Sequence, residues 1–177
     1  MASPRTKPKR IVNRIVIHTS ASHNKRLGVL DPSAKEIDAM HRARGWAGIG
    51  YHHVIRRDGR IEAGRDECVS GAGAAFANSD TIHICCSGSG DHEDFTEAQK
   101  GALCQLCHQV LQRWGLVDEF RVNPFRIVGH REINDLVKAG IYPEKARTSK
   151  SCPGRKVDMR ELRGLILSHV SKADGWS

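Results

Sequence analysis

The sequence predicts a single α/β domain in which a central mixed β-sheet is flanked by about three main helices. Short runs rich in β-branched residues alternate along the chain with longer segments whose apolar residues recur every three or four positions. The length of 177 residues, with 39% hydrophobic and 27% charged residues, is typical of one globular domain with its own core. We expect a catalytic domain over residues 11–171, preceded by a basic flexible arm, residues 1–10, and followed by a tail, residues 172–177.

Three strands are predicted from runs of β-branched residues at 11–17, 81–86 and 126–129. The first run leads directly to His18, and the third leads directly to His130. Each of these two strands is therefore expected to present a histidine at its C-terminal end, where the buried strand opens into a loop.

A β-hairpin is predicted around Asp58-Gly59, between the runs 51–57 and 60–63. This dipeptide favours a tight turn because glycine adopts a positive φ without steric cost. The two runs should therefore pair with each other.

Three helices are predicted from capping boxes, in which the N-cap side chain and the side chain three residues later bond to free backbone N–H groups of the first turn. The boxes lie at 33–36, 96–99 and 158–161. The first helix is expected to stop near Gly45. The second carries a long apolar stripe, made by Leu103, Leu106, Cys107, Val110, Leu111 and Trp114. Strands and helices thus interleave, which indicates a mixed sheet with helices on its faces.

The net charge of +8 comes from 28 Lys and Arg residues against 20 Asp and Glu residues, and the surplus is strongest in the first fourteen residues. Such a basic segment raises the on-rate at any polyanion, so charge alone does not choose between nucleic acid, anionic lipid and a negatively charged cell wall. Aromatic residues make up only 5% of the chain, and no motif that reads a nucleic-acid groove is present. We therefore expect no specific nucleic-acid binding, and we expect the arm to attract an anionic envelope or membrane.

Two sequence features bear on the compartment. No apolar run reaches the length of a membrane span, and no hydrophobic signal-peptide region precedes Ile11. The six cysteines are irregularly spaced, unlike the dense framework of a small secreted domain. The expectation is a soluble chain made in the cytoplasm, with mostly reduced thiols.

His18, His130 and Cys152 match the ligand set of a catalytic zinc site, which takes three protein ligands and leaves a fourth position for water. Their wide separation along the chain excludes a local finger-type loop. Because the chain has ten histidines, spacing does not single these residues out, and the fold would have to assemble the site from two strand ends and a loop.

Five blocks, in order over residues from about 11 to about 170, resemble the phage lysozyme-type N-acetylmuramoyl-L-alanine amidases, a family that includes the peptidoglycan recognition proteins. The blocks are Ile-Val-Ile-His-Thr-Ser-Ala-Ser at 15–22, Trp46 with Gly-Tyr-His-His-Val-Ile-Arg-Arg-Asp-Gly at 50–59, Glu-Ala-Gly-Arg at 62–65, Val-Gly-His-Arg at 128–131, and Lys-Ser-Cys-Pro-Gly at 150–154.

The resemblance implies a peptidoglycan recognition protein-like amidase fold with zinc (Zn2+) at one edge of an open groove. It places the metal ligands at His18, His130 and Cys152. It places two catalytic residues beside the scissile bond: Tyr51, which positions or deprotonates the attacking water, and Lys150, which stabilises the oxyanion.

The implied reaction is zinc-dependent hydrolysis of the amide bond between N-acetylmuramic acid and L-alanine in peptidoglycan. The implied role is that of a monomeric phage endolysin, synthesised in the host cytoplasm and acting on the cell wall. Two other roles stay open: a non-catalytic module that binds muropeptides, and a cytoplasmic amidase that recycles anhydro-muropeptides. Retention of Cys152 together with Tyr51 argues against the binding module.

The chain departs from the family pattern at two places. The link between His130 and Cys152 is longer than in compact phage members, and we expect its residues 134–148 to form a short helix and to reshape one groove wall. Asp158 is an alternative third ligand, because Lys-Val-Asp at 156–158 resembles the tail of the recycling amidases, which use an aspartate. We prefer Cys152, since Asp158 is already explained as a helix N-cap.

The remaining histidines and paired cysteines are interpreted as structural. His52, His53 and His83 lie in predicted strands, where a packing role is commoner than metal ligation. Cys104 and Cys107 have the spacing of a redox motif, but they lie on the apolar stripe of a helix and are expected to be small core residues.

Overall fold

The computed structural model describes residues 10–117 and 122–175. Its centre is a five-stranded sheet made of β1 (Arg14–Thr19), β4 (His53–Ile55), β5 (Ile61–Ala63), β6 (Thr81–Cys86) and β7 (Ile127–Gly129), and a separate small hairpin joins β2 (His23–Asn24) to β3 (Gly28–Val29). The order of the strands across the sheet is β5-β4-β6-β1-β7. The arm predicted over residues 1–10 falls, except for its last residue, outside the described residues, as do the last two residues of the predicted tail.

The sheet is mixed, as predicted. Strand β1 pairs in parallel with both β6 and β7, and β4 pairs in parallel with β6. Strand β5 runs antiparallel to β4 and closes the predicted hairpin. Gly59 in its turn has φ +88°, in the left-handed region, and its N–H donates to the carbonyl of Arg56. The parallel arrangement matters for function, because it brings the C-terminal ends of β1 and β7 to the same edge.

Two long helices cover one face of the sheet. These are α2 (Glu97–Arg113) and α4 (Met159–Ala173), which pack against each other. Side chains alternate along a strand, so Ile15 and Ile17 of β1 point to this face and join the main core. The helical contributors are buried at spacings of three and four residues: Leu103, Leu106, Cys107, Val110 and Leu111 from α2, and Leu162, Ile166 and Val170 from α4.

The opposite face of the sheet carries two smaller cores and the polar residues between them. Val16 of β1 packs in a cluster with Val128 and with helix α3 (Ile133–Lys138). Helix α1 (Ala34–Ala43) packs Ile37 against Val54 of β4 in the second cluster. His18, two residues beyond Val16, therefore opens onto the face between α1 and α3.

The helix starts follow the predicted caps. The first two capping boxes are complete, with reciprocal bonds between Ser33 and Glu36 and between Thr96 and Gln99. Asp158 accepts hydrogen bonds from the first-turn N–H groups of α4 and is the N-cap of that helix. Helix α1 ends at Ala43, close to the predicted stop at Gly45.

The long link before Cys152 forms a short helix, as expected. Helix α3 begins three residues after His130, and a 3-10 turn follows at Glu144–Ala146. Asn134 connects helix α3 to the C-terminal part of the link. Its side chain donates to the backbone carbonyl of Thr148 and accepts from the backbone N–H of Thr148, both at 2.9 Å. The link is thus held as one unit beside the groove.

Two further features concern the cysteines and the helices. All six cysteines are free thiols. Within residues 10–117 and 122–175, none of the helices combines the length and the apolar character that crossing a bilayer requires.

Glu67 connects its own loop to strand β4 and to the C-terminal end of helix α2, and these contacts lead to a stability prediction. Its carboxylate accepts hydrogen bonds from His53 at 2.6 Å, Arg113 at 2.6 Å and Trp114 at 2.7 Å. Burial opposes ionisation, but these donors outweigh it and lower the pKa of Glu67 from 4.5 to about 2. Since the folded-state pKa lies below the ordinary value, the stabilisation is present above pH 4.5 and is lost as the pH falls towards 2.

Glu67→Gln is therefore expected to lower the free energy of unfolding at pH 7 by about 1.5–3 kcal/mol, the usual range for hydrogen bonds to a charged group. Urea unfolding of both proteins at several pH values measures this difference, which should narrow steadily below pH 4.5. If wild type and Glu67→Gln are equally stable at pH 7, or if the difference between their unfolding free energies does not change with pH, the carboxylate contributes no net stability.

Candidate metal centre

Three side chains from separate parts of the chain meet at the C-terminal edge of β1 and β7. His18 is the fifth residue of β1, His130 follows β7 directly, and Cys152 lies in the loop before α4. One ligand atom from each lies within 4.8 Å of the other two. The parallel pairing of β1 with β7 brings the two histidines together, and the long link returns the cysteine to them.

The geometry of this cluster fits a zinc ion. With a Zn–S distance of about 2.3 Å and a Zn–N distance of about 2.0–2.1 Å, a tetrahedral angle separates the sulfur and the nitrogen by about 3.6 Å. The Cys152 Sγ to His18 Nδ1 distance is 3.6 Å. Two imidazoles and a thiol are also a donor set that catalytic zinc sites use, with one position left open.

The protonation states also suit metal binding. Burial, followed by the neighbouring His83, lowers the pKa of His18 well below its ordinary value. Burial, followed by the charge of Lys150, lowers the pKa of His130 to about 4. Both imidazoles are therefore neutral near pH 7 and have lone pairs to offer. Burial raises the pKa of Cys152 to about 11, so a bound cation has to displace the thiol proton.

Arg131 and Asp91 hold the cysteine loop in place. The backbone N–H of Arg131 donates to the carbonyl of Cys152 at 2.7 Å, and its guanidinium donates to the carbonyls of Gly154 and Val157 at 2.6 and 2.7 Å. From the other side, Asp91 accepts from the Ser151 hydroxyl at 2.7 Å. Because Arg131 follows His130 directly, the same residue couples the positions of two ligands.

Two glycines allow the cysteine loop to approach the loop after β6. A Cβ atom on Gly154, whose φ is +126°, would lie 2.0 Å from the carbonyl carbon of Gly90. A Cβ atom on Gly90 would lie 2.0 Å from the carbonyl oxygen of Pro153. Backbone occupies both places, so any side chain there would displace Cys152.

Tyr51 and Lys150 lie beside the three ligands. The Tyr51 ring centroid is 5.1 Å from that of His18. Burial raises the pKa of Tyr51 well above its ordinary value, which keeps the phenol protonated. Lys150 is exposed, and together with His130 and Trp46 it lines a groove of about 380 Å³.

The link between His130 and Cys152 contributes to this groove. Ala146, Arg147 and Thr148 are among its lining residues, so the link forms part of the groove wall. The far side of the groove is lined by Ala72, Gly73, Ala75 and Asn78.

A larger cavity, of about 540 Å³, lies elsewhere, around Glu67, Arg113 and Trp114. None of the three candidate ligands lines it. We assign the chemistry to the smaller groove, because its lining includes His130, one of the three candidate ligands, together with the exposed Lys150.

Asp158, the alternative ligand, is not a member of this cluster. Its Oδ1 accepts from the N–H groups of Arg160 and Glu161 at 2.8 and 3.1 Å. Within the described part of the chain, His18, His130 and Cys152 are the group of side chains placed to share a metal ion. The aspartate therefore serves the helix.

His83 is a residue of this site that sequence reasoning missed. The sequence predicts a structural role for His83, yet its Nδ1 lies 2.9 Å from Nε2 of His18. The signal lies in the register, since Val16 of β1 pairs with His83 of β6 and thus places the imidazole on the face that carries His18. A sequence shows that both segments are strands without showing which residues pair.

Comparison with known proteins agrees with the fold and the site. A family model described as N-acetylmuramoyl-L-alanine amidase matches residues 7–155. The endolysin of Enterobacteria phage T3 is 35% identical over 120 residues, which is 64% of this chain and 76% of the endolysin. Peptidoglycan-recognition protein SC2 of Drosophila simulans is 28% identical over 144 residues, which is 81% of this chain and 68% of that protein.

A solved structure shows the same fold. N-acetylmuramoyl-L-alanine amidase LysC from Clostridium intestinale URNW matches with a TM-score of 0.65 and 27% identity, over 86% of this chain and 83% of LysC. The family predicted from the five sequence blocks is thereby confirmed. The chain belongs to the N-acetylmuramoyl-L-alanine amidase family, and its activity is amide hydrolysis.

Proposed function

We propose that the protein is a zinc-dependent amidase that cleaves the bond between N-acetylmuramic acid and L-alanine in peptidoglycan, and that it acts as a phage endolysin. The zinc dependence is supported by the convergence of the ligand atoms of His18, His130 and Cys152 within 4.8 Å of one another, and His130 also lines the groove. The phage endolysins among its relatives support a role in lysis.

A zinc ion held by the three ligands would lower the pKa of water and polarise the amide carbonyl. The chain supplies the remaining groups. Tyr51, whose ring lies beside that of His18, would position the attacking water by a hydrogen bond. Lys150 brings a positive charge to the groove beside His130, where negative charge develops on the carbonyl oxygen.

Two alternative roles fit the geometry less well. A module that only binds muropeptides has no need of a thiol beside two neutral imidazoles. A recycling amidase that uses Asp158 as a ligand would have to withdraw that carboxylate from the N-cap of α4, where it accepts two backbone hydrogen bonds. The cluster around Cys152 needs no such rearrangement.

The products of peptidoglycan digestion test the proposed reaction. The purified protein should hold about one zinc per chain, and digestion should expose new L-alanine amino termini without new reducing sugars, because the attacked bond is an amide. Protein stripped of metal by a chelator should be inactive until zinc is restored. New reducing ends without free alanine amines would instead identify a glycosidase, and full activity after chelation would remove the metal from the reaction.

A further inference from the structure

A line of hydrogen bonds runs from the backbone of Ala77 to His18. The Thr81 hydroxyl donates to the carbonyl of Ala77 at 2.6 Å and lies 3.0 Å from Nε2 of His83. Nδ1 of His83 lies 2.9 Å from Nε2 of His18. On the other side of the His18 ring, Nδ1 lies 3.6 Å from Sγ of Cys152.

The direction of each bond follows from the number of protons available. A hydroxyl has one hydrogen, and Thr81 uses it on a carbonyl that can only accept. Nε2 of His83 must therefore donate to the Thr81 oxygen. In a neutral imidazole the other nitrogen then has no proton, so Nδ1 of His83 accepts from Nε2–H of His18. Nδ1 of His18 is then unprotonated, and its lone pair is directed towards Cys152.

We infer that His83 is a positioning residue whose own tautomer is fixed by its hydrogen bond with Thr81. His83 holds the proton of His18 on Nε2, so that Nδ1 of His18 is the metal-binding nitrogen. The inference rests on the zinc site of the proposed function. A ligating histidine commonly donates its other N–H to a carboxylate, a carbonyl or water, which sets its tautomer and its orientation. Here a second imidazole is the acceptor.

The surroundings of His83 are built to hold its ring. Its backbone N–H donates to the ring nitrogen Nδ1 of His52 at 2.8 Å, and the backbone N–H of His52 donates to the His83 carbonyl at 2.9 Å. The two imidazoles are nearly parallel, with ring centroids 5.6 Å apart and planes 6° from each other. His83 is fully buried, so its ring nitrogens have no access to solvent partners.

Two glycines leave the space that the ring occupies. A Cβ atom on Gly71 would lie 2.3 Å from Cδ2 of His83. A Cβ atom on Gly73 would lie 2.7 Å from Nδ1 of His83 and 3.0 Å from Nε2 of His18. Any side chain at Gly73 would therefore intrude on the bond between the two imidazoles. The absence of side chains at Gly71 and Gly73 therefore leaves room for this hydrogen bond.

Two matched pairs of variants test the inference. His83→Asn keeps an acceptor close to the position of Nδ1, whereas His83→Leu removes it at similar volume. Thr81→Ser keeps the hydroxyl that orders the protons, whereas Thr81→Val removes it and leaves both histidines in place. The zinc dissociation constant, from competition with a chelator, should rise about 10- to 100-fold in the Leu and Val variants. It should stay close to the wild-type value in the Asn and Ser variants.

Histidine-ring NMR of the metal-free protein supplies a readout that simple packing would not move. Long-range ¹H–¹⁵N spectra at neutral pH should show the His18 proton on Nε2 in the wild-type chain, and a mixture of tautomers in Thr81→Val. A His18 proton on Nδ1, or unchanged zinc affinity in His83→Leu, would overturn the inference and leave the proposed function standing. If His83→Leu does not fold, the inference is tested by the zinc affinities of Thr81→Ser and Thr81→Val and by the tautomer of His18 in the wild-type spectrum. A wild-type chain that binds no zinc would overturn the proposed function itself, and with it the role given to His83.

Discussion

Cys152→Ser is expected to lose both the bound zinc and the amidase activity. The thiol supplies the one ligand that becomes an anion on binding, and a serine hydroxyl does not ionise under the same conditions. Burial already raises the pKa of Cys152 to about 11, so the affinity of the site depends on a strong sulfur–metal bond to displace the proton. Elemental analysis after gel filtration and the rate of peptidoglycan cleavage measure the two losses.

Asp158→Asn is the matched control for this experiment. Asparagine is as good an N-cap as aspartate, so helix α4 should keep its first turn while the carboxylate is removed. We expect wild-type zinc content and activity. Loss of zinc in Asp158→Asn, together with its retention in Cys152→Ser, would reverse the ligand assignment and favour the recycling-type site.

Tyr51→Phe and Lys150→Ala are expected to keep zinc and fold while losing most of their turnover. Neither residue is among the three ligands, and each substitution removes a polar group without adding volume. Removing one preorganised group that stabilises an oxyanion typically costs about 10²–10³ in rate, or roughly 3–4 kcal/mol. For Lys150→Ala the loss should therefore appear in kcat far more than in KM.

Lys145→Ala is a suitable control for the lysine variant. It removes the same charge from the same link, but Lys145 lies over the Phe76 ring, 4.4 Å from its centroid, and does not line the groove. Its activity should match that of the wild-type chain. Wild-type turnover in both Tyr51→Phe and Lys150→Ala would remove their assigned roles, and loss of zinc in either would show that it supports the metal site instead.

Much of the fold could be predicted from the sequence because the signals are local. A capping box needs only a side chain and the backbone three residues away, so the starts of α1 and α2 at Ser33 and Thr96 are visible without any tertiary contact. The hairpin at Gly59 is equally local, since one positive φ sets the turn. The candidate ligands could be named because their neighbours form family motifs, as in Val-Gly-His-Arg at 128–131.

Only the tertiary structure decided how these pieces meet. Strands β1 and β6 are separated by more than sixty residues, and the pairing of Val16 with His83 depends on packing over the whole sheet. Because of that pairing, His83 lies on the same face as His18 and forms a hydrogen bond with it. The position of Cys152 likewise depends on the hydrogen bonds of Arg131 and on the contact between Gly154 and Gly90. Short-range bonds specify the elements of this amidase, whereas long-range packing specifies the register and loop contacts that assemble its metal centre.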